Sequence, residues 1–167
     1  VIHMRNKFQH DGARPWRGVK RDNWEGGHRV PMVARWPGRI KAGSRTSQTV
    51  CLTDLMATCA AITGAKLPPN AAEDSFNILP ALLGQDDKPI REYTLHQTIS
   101  LALAIRNGDW KYLDHKGSGG NRYGGPLQKY AIADSAPEVP GQLYNLSSDP
   151  GEKNNLVSDK PAIAQAL

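Results

Sequence analysis

The sequence predicts an α/β chain in two pieces, a strand-poor stretch with helices over residues 1–92 and a small antiparallel sheet with a closing helix over 93–167. Three observations predict it. A short apolar run over 29–36 halts at Pro37-Gly38, as a buried strand does. Apolar residues at helical spacing follow over 54–63. From residue 93 onward, runs of strand-forming residues surround Asn107-Gly108, a dipeptide suited to a two-residue hairpin turn.

In order along the chain, residues 1–29 read as loop, with Gly12, Pro15, Gly18, Gly26 and Gly27 and no sustained periodicity. The strand over 29–36 can hold Pro31 only at its start or on an edge. The helix over 54–63 has Thr53 as its cap, Asp54 at the positive end of the dipole and Gly64 as the terminating glycine. Its apolar face is expected to be Leu55, Cys59 and Ile62. A shorter helix covers 78–83 and ends at Gly84. Strands follow over 93–98 and 101–106, then the Asn107-Gly108 turn and a return strand over 110–114, with Leu103 and Ile105 on the face opposite Ala104. Residues 116–142 form a long Gly-, Pro- and Ser-rich excursion. A strand over 142–146, a turn at Asp149-Pro150-Gly151 and a helix opened by Pro161 complete the reading. The first piece is poor in strands for its length and reads as the end of a larger sheet.

Composition narrows the function classes. The 167 residues carry a formal charge of +5, with 22% charged residues, 16 Gly and 12 Pro, which suits a loop-rich globular protein. No stretch approaches the ~18 apolar residues of a membrane span, and the run Val1 to Lys7 has no apolar h-region. A basic balance is compatible with nucleic acid, an acidic membrane surface or an anionic small substrate. The basic residues crowd the part before residue 46 but lie scattered among Gly, Pro and Trp, which argues against a nucleic acid. Cys51 and Cys59 lack metal-like or disulfide-like spacing and read as two buried thiols.

The segment Gly18-Val19-Lys20-Arg21-Asp22-Asn23-Trp24-Glu25-Gly26-Gly27-His28-Arg29-Val30-Pro31 resembles the type I sulfatase pattern Gly-x-Lys, four residues, Glu-Gly-Gly-x-Arg-Val-Pro. The likeness continues through Trp36 to Ile40, Thr53 to Thr58 and Ile78 to Gly84. It closes with Gln142 to Leu146, Asp149-Pro150-Gly151-Glu152 and Asn155-Leu156. These matches cover about 140 residues and are specific as a set. The resemblance implies an alkaline-phosphatase-like mixed-sheet α/β domain, ending here near residue 92, followed by a small antiparallel-sheet subdomain with a helix. It also implies sulfuric ester hydrolysis through a formylglycine and a divalent ion, usually calcium, on sulfated small molecules or carbohydrates. Periplasmic or secreted localisation goes with it.

Lys20 matches the family's active-site lysine, and an ammonium suits the charge that grows on a sulfate oxygen as the S–O bond breaks. His96 and His115 are candidates to reach the substrate, with His28 and His10 weaker. Glu25 and Arg29 read as a structural cross-link, and Gly26 and Gly27 as sites of positive φ or close backbone approach. Neither cysteine fits the modification motif Cys-x-Pro/Ala-x-Arg: Cys51-Leu52-Thr53-Asp54-Leu55 lacks it altogether, and Cys59 has Thr63 where arginine belongs. The family's paired acidic ligands and the Asp-Asn ahead of the lysine are not found, so no metal ligand is assigned and the chain reads as an inactive C-terminal portion of a longer enzyme. Phosphate or phosphonate monoester hydrolysis in the same superfamily, and non-catalytic binding of anionic glycans, are the alternatives.

Overall fold

A computed structural model describes residues 4, 7–85, 88–125, 128 and 135–167. The elements run, in chain order, α1 (Leu55–Thr63), α2 (Leu79–Leu83), β1 (Tyr93–Gln97), β2 (Leu103–Asn107), β3 (Trp110–Leu113), β4 (Gln142–Asn145) and α3 (Pro161–Ala166), with 3-10 turns at Glu25–Gly27 and Leu52–Asp54. The chain forms two compact units, one of residues 1–30 with 95–167 and the other of residues 31–94. Residues 1–30 thus group with the sheet, whereas the sequence division at 92 kept them with the helices.

The four strands form one sheet in the order β1-β2-β3-β4. β2 and β3 pair antiparallel, Ala104 opposite Leu113 and Arg106 opposite Lys111, and β3 and β4 likewise, Lys111 opposite Tyr144 and Leu113 opposite Gln142. Because side chains alternate along a strand, this register gathers Ala104, Leu113 and Gln142 with Arg106, Lys111 and Tyr144 on one face. Trp24 covers that face, forming a core with Ala104, Leu113, Tyr144 and Leu146. Leu103 is exposed and Ala104 buried, as the alternation predicts. The hairpin sits one residue later than expected. Asn107 still pairs with Trp110, so the two-residue turn is Gly108-Asp109, and Gly108 takes the left-handed φ of +55° that its first position requires. Of the excursion over 116–142, residues 126, 127 and 129–134 lie outside the described residues.

The unit of residues 31–94 departs further from expectation. The run 29–36 has no strand partner among the described residues, and Val30, Met32 and Val33 are exposed, Val33 by 94%. A strand needs a neighbour to take its N–H and C=O groups, and none is offered here. α1 ends at Gly64 in the left-handed conformation, as predicted, but Thr53 does not cap it. The Asp54 carboxylate accepts the Cys51 N–H at 2.7 Å, while the Thr53 hydroxyl turns to the Asp74 carbonyl. The buried face is also different. Thr58 and Ala60 are buried, whereas Leu55 and Ile62 are exposed and Cys59 is an exposed free thiol. The Thr58 hydroxyl donates to the Asp54 carbonyl at 2.6 Å and accepts from the Ile78 N–H, so polar contacts decide which side of α1 turns inward.

Candidate active-site cleft

Lys20 lies on a loop whose shape is set by Asp22. One Asp22 oxygen accepts the Val19 N–H at 2.9 Å and the Tyr123 hydroxyl, and the other accepts the backbone and side-chain N–H groups of Asn121. The Asn121 amide also donates to the Lys20 carbonyl at 2.9 Å. The Lys20 backbone is therefore clamped while its side chain stays exposed. Two glycines permit the clamp by close approach. A Cβ on Gly27 would stand 2.0 Å from the Asp22 carbonyl oxygen, and one on Gly120 only 1.8 Å from that of Arg21. Gly26 approaches the Arg17 and Gly18 carbonyls in the same way. Neither Gly26 nor Gly27 has positive φ. Close approach is the reason for both.

Beneath the loop, Glu25 is the centre of a buried ionic cluster. Its carboxylate accepts from Lys111 Nζ at 2.9 Å, Arg29 Nε at 2.6 Å and Arg106 Nη1 at 3.3 Å. The cross-link to Arg29 is the one expected from the sequence; Lys111 and Arg106 arrive from the sheet face. Lys111 is fully buried and also lies 3.4 Å from Glu152 Oε1, while Glu152 Oε2 accepts the Glu25 N–H at 2.7 Å. Burial alone would raise the Glu25 pKa, but Lys111 and the other cations around it hold it at about 2. Burial lifts Glu152 to about 7, with Lys111 offsetting it only in part. Two carboxylates sharing one ammonium separate in this way, the better-paired one staying ionised.

The same ammonium lies behind a histidine that lines a cleft. Lys111 Nζ is 2.9 Å from His28 Nε2, and His28 stacks on His96 with ring centroids 3.7 Å apart. Lys111 can only donate, so His28 Nε2 accepts and its proton sits on Nδ1. In that tautomer the 3.1 Å approach of Nε2 to the Asn23 carbonyl is a contact without a hydrogen bond. Burial, then Lys111, pushes His28 down to about 3 and His96 to about 4. Both rings are neutral at neutral pH. They line a cleft of about 300 Å³ with Arg21, Asp22, Asn23, Gly27, Leu95, Gln97, Thr98 and Ile99.

Of the residues singled out from sequence, His96 lines this cleft, and Lys20 is not among the lining residues but precedes one of them, Arg21, in the chain. His115 is not among the lining residues. Its Nδ1 faces the Lys116 carbonyl and its Nε2 the Asn23 amide at 2.9 Å, so it holds Asn23 in the cleft wall. His28 counts for more than its place in the sequence suggested. Lys111 and Glu152 were missed, yet Lys111 stands two residues from Leu113 on a strand, which puts both on the inward face.

Among the described residues, no three His, Cys, Asp or Glu side chains gather as a metal site. Both Asp22 oxygens are occupied by protein donors, as given above. Calcium asks for six to eight oxygen ligands, and the described residues do not fit it. No described helix is long and apolar enough to cross a membrane.

No family model matches the chain. The chain is 35% identical to an N-acetylgalactosamine-6-O-sulfatase of Bacteroides thetaiotaomicron over 91% of its length and 28% of the relative's. It is 33% identical to human arylsulfatase A, over 89% and 31% respectively. Among solved structures, a Bacteroides thetaiotaomicron protein marked 6S-sulf, from work on metabolism of multiple glycosaminoglycans, superposes with a TM-score of 0.72 at 32% identity, covering 91% of this chain and 30% of that one. The PsFucS1 sulfatase of Pseudoalteromonas gives 0.65 at 28% identity, over 84% of this chain and 28% of that one. The chain spans between a quarter and a third of the length of these relatives. The mixed α/β class with a four-stranded antiparallel sheet agrees with these neighbours. The chain belongs to the type I sulfatase family.

Proposed function

We propose that the whole protein is a sulfuric ester hydrolase in which Lys20 supplies the cation facing the sulfate. The observation that carries this reading is the clamped loop. Asp22, Asn121 and two glycines fix the Lys20 backbone and leave its side chain exposed, so the point from which the ammonium reaches toward a substrate is set before substrate arrives. Its ammonium would donate to a sulfate oxygen where negative charge grows as the S–O bond breaks. His96 contacts the substrate from the cleft, and His115 serves the same site by holding Asn23. The boundary between the family's larger α/β domain and its smaller sheet subdomain stays near residue 92, with residues 1–30 of the former packed in one compact unit with the latter's sheet. Formylglycine and calcium, which the family's chemistry calls for, are assigned to other residues of the whole protein, and location outside the cytoplasm is part of the reading. The substrates proposed are sulfated carbohydrates, in keeping with the N-acetylgalactosamine-6-O-sulfatase relative.

The test is Lys20→Ala in the whole protein, with sulfate release from 4-nitrophenyl sulfate and a panel of sulfated monosaccharides. Loss of one preorganised donor should lower turnover by roughly 10²–10³, with the thermal midpoint unmoved. Lys20→Arg should recover only part, because the planar fork cannot occupy the same point. Activity within about threefold of the parent would make Lys20 an ordinary surface lysine. Faster turnover of 4-nitrophenyl phosphate than of the sulfate would move the reading to a phosphate monoester hydrolase.

A further inference from the structure

We infer that the cleft beside Lys20 is the subsite for the uncharged, hydroxyl-bearing alcohol half of the ester, with the stacked His28–His96 pair as its hydrogen-bonding wall. The inference deepens the sulfatase reading and rests on it.

Charge balance is the first argument. The cleft is lined by Arg21, Asp22, Asn23, His28, His96 and Gln97, among others. One fixed cation and one fixed anion cancel, and the remaining polar groups there are neutral. Burial and Lys111 keep the two imidazoles from becoming cations near neutral pH. A second sulfate would find no uncompensated positive charge, whereas a polyol would lose nothing by its neutrality.

Unused hydrogen-bonding capacity is the second. Asp22 has both oxygens occupied, and the Thr98 hydroxyl is engaged by the Gly119 carbonyl and Ser100. His96 is different: neither ring nitrogen has a hydrogen-bond partner among the described residues, although the ring lines the cleft. His28 has Nε2 tied to Lys111, which leaves the Nδ1 proton to donate. A neutral imidazole offers one donor and one acceptor, the complement of a hydroxyl group. The stacking, 18° from parallel, fixes both rings before a ligand arrives.

Size is the third. About 300 Å³ lies at the small end of ligand pockets, ~300–1,000 Å³, room for one ring rather than a chain of them. Lys20 directly precedes Arg21 in the chain, so the cleft begins one residue from the lysine assigned to the sulfate.

The experiment compares His96→Ala and His96→Phe in the whole protein on 4-nitrophenyl sulfate and on the sulfated monosaccharide that the parent hydrolyses fastest. Phe keeps a flat ring against His28 and removes both nitrogens. Both variants should lose at least tenfold more kcat/KM on the sugar ester than on the aryl ester, mainly through KM, and His96→Gln should recover part of it. Equal losses on the two substrates, or full activity of His96→Phe on the sugar, would overturn the subsite. A parent that hydrolyses the aryl ester but no sulfated sugar would overturn it too and leave the sulfatase reading standing. A parent that hydrolyses neither ester would overturn the sulfatase reading, and the subsite with it.

Discussion

Each compact unit has a buried carboxylate paired with at least one cation, and the two differ in what surrounds it. Glu25 sits against Trp24 and the sheet core and takes Lys111, Arg29 and Arg106. Asp54, in residues 31–94, accepts the N–H groups of Cys51 and Phe76 and pairs with Arg91, whose guanidinium also stacks on Phe76. Around Asp54 several large apolar residues face outward, Leu52 71% exposed and Met56 53%, while Ile78 is buried. The same device has different consequences. Both carboxylates are desolvated, Asp54 with Arg91 no less than Glu25 with Lys111, so each must be paired. What differs is that Lys111 couples Glu25 to a second carboxylate, Glu152, against the sheet core. In the helical unit the bonds to Asp54 and Thr58 hold the turns together around a small apolar centre of Ile78, Ala60 and Ala81.

The largest effect expected from this contrast is at Lys111. Its replacement by Ala leaves Glu25 and Glu152 facing each other without the ammonium between them. Breaking a buried pair by removing one partner costs about 3–5 kcal/mol. Amide exchange should quicken throughout β2, β3 and β4 while residues 31–94 keep their protection. A loss below about 1 kcal/mol would show that the cluster is wetter than its burial indicates.

Asp54→Ala should come next. It orphans two backbone N–H groups and the buried Arg91 guanidinium, an effect of about 3 kcal/mol, the low end for a broken buried pair because only one carboxylate is involved. Faster exchange should be confined to the turn before α1 and the segment around Phe76. If the sheet loosened equally, the two hubs would not be independent and the comparison would fail.

The smallest effect is a pH dependence. Glu152 has a folded pKa of about 7 against 4.5 unfolded, so between those values the folded state holds a proton the unfolded chain has released. Its contribution to stability therefore falls as pH rises from about 4.5 to 7. Glu25, held at about 2, acts oppositely, and its contribution is lost as pH drops from 4.5 to 2. His28 and His96, held at about 3 and 4 against 6.5, are favoured neutral and also add stability as pH rises through the acid range. In Glu152→Gln only the opposing term disappears. The variant's stability relative to the parent should grow between pH 4.5 and 7 and then level off. A flat difference would place Glu152 in an ordinary carboxylate environment.

How much of this was legible beforehand depends on the range of the cause. The glycine ends of α1 and α2 and the Pro161 start of α3 were read correctly, because each is decided within a few residues by permitted φ angles. The hairpin was placed to within one residue for the same reason. The strand over 29–36 failed because a strand is a pairing, and the partner is not written in its own eight residues. The face of α1 failed because Asp54 and Thr58 out-competed a weak apolar stripe.

For the site, local sequence determined the Lys20 spacing, the close-packed glycines and the Glu25–Arg29 pair, all within ten residues of one another. The tertiary structure alone decided that Lys111 is buried between two glutamates and donates to His28. It also decided that His28, 68 residues before His96, stacks on it. Those contacts join segments that are distant in sequence, and only the sheet register brings them to one face. A side chain's charge, burial and proton are set by what finally surrounds it.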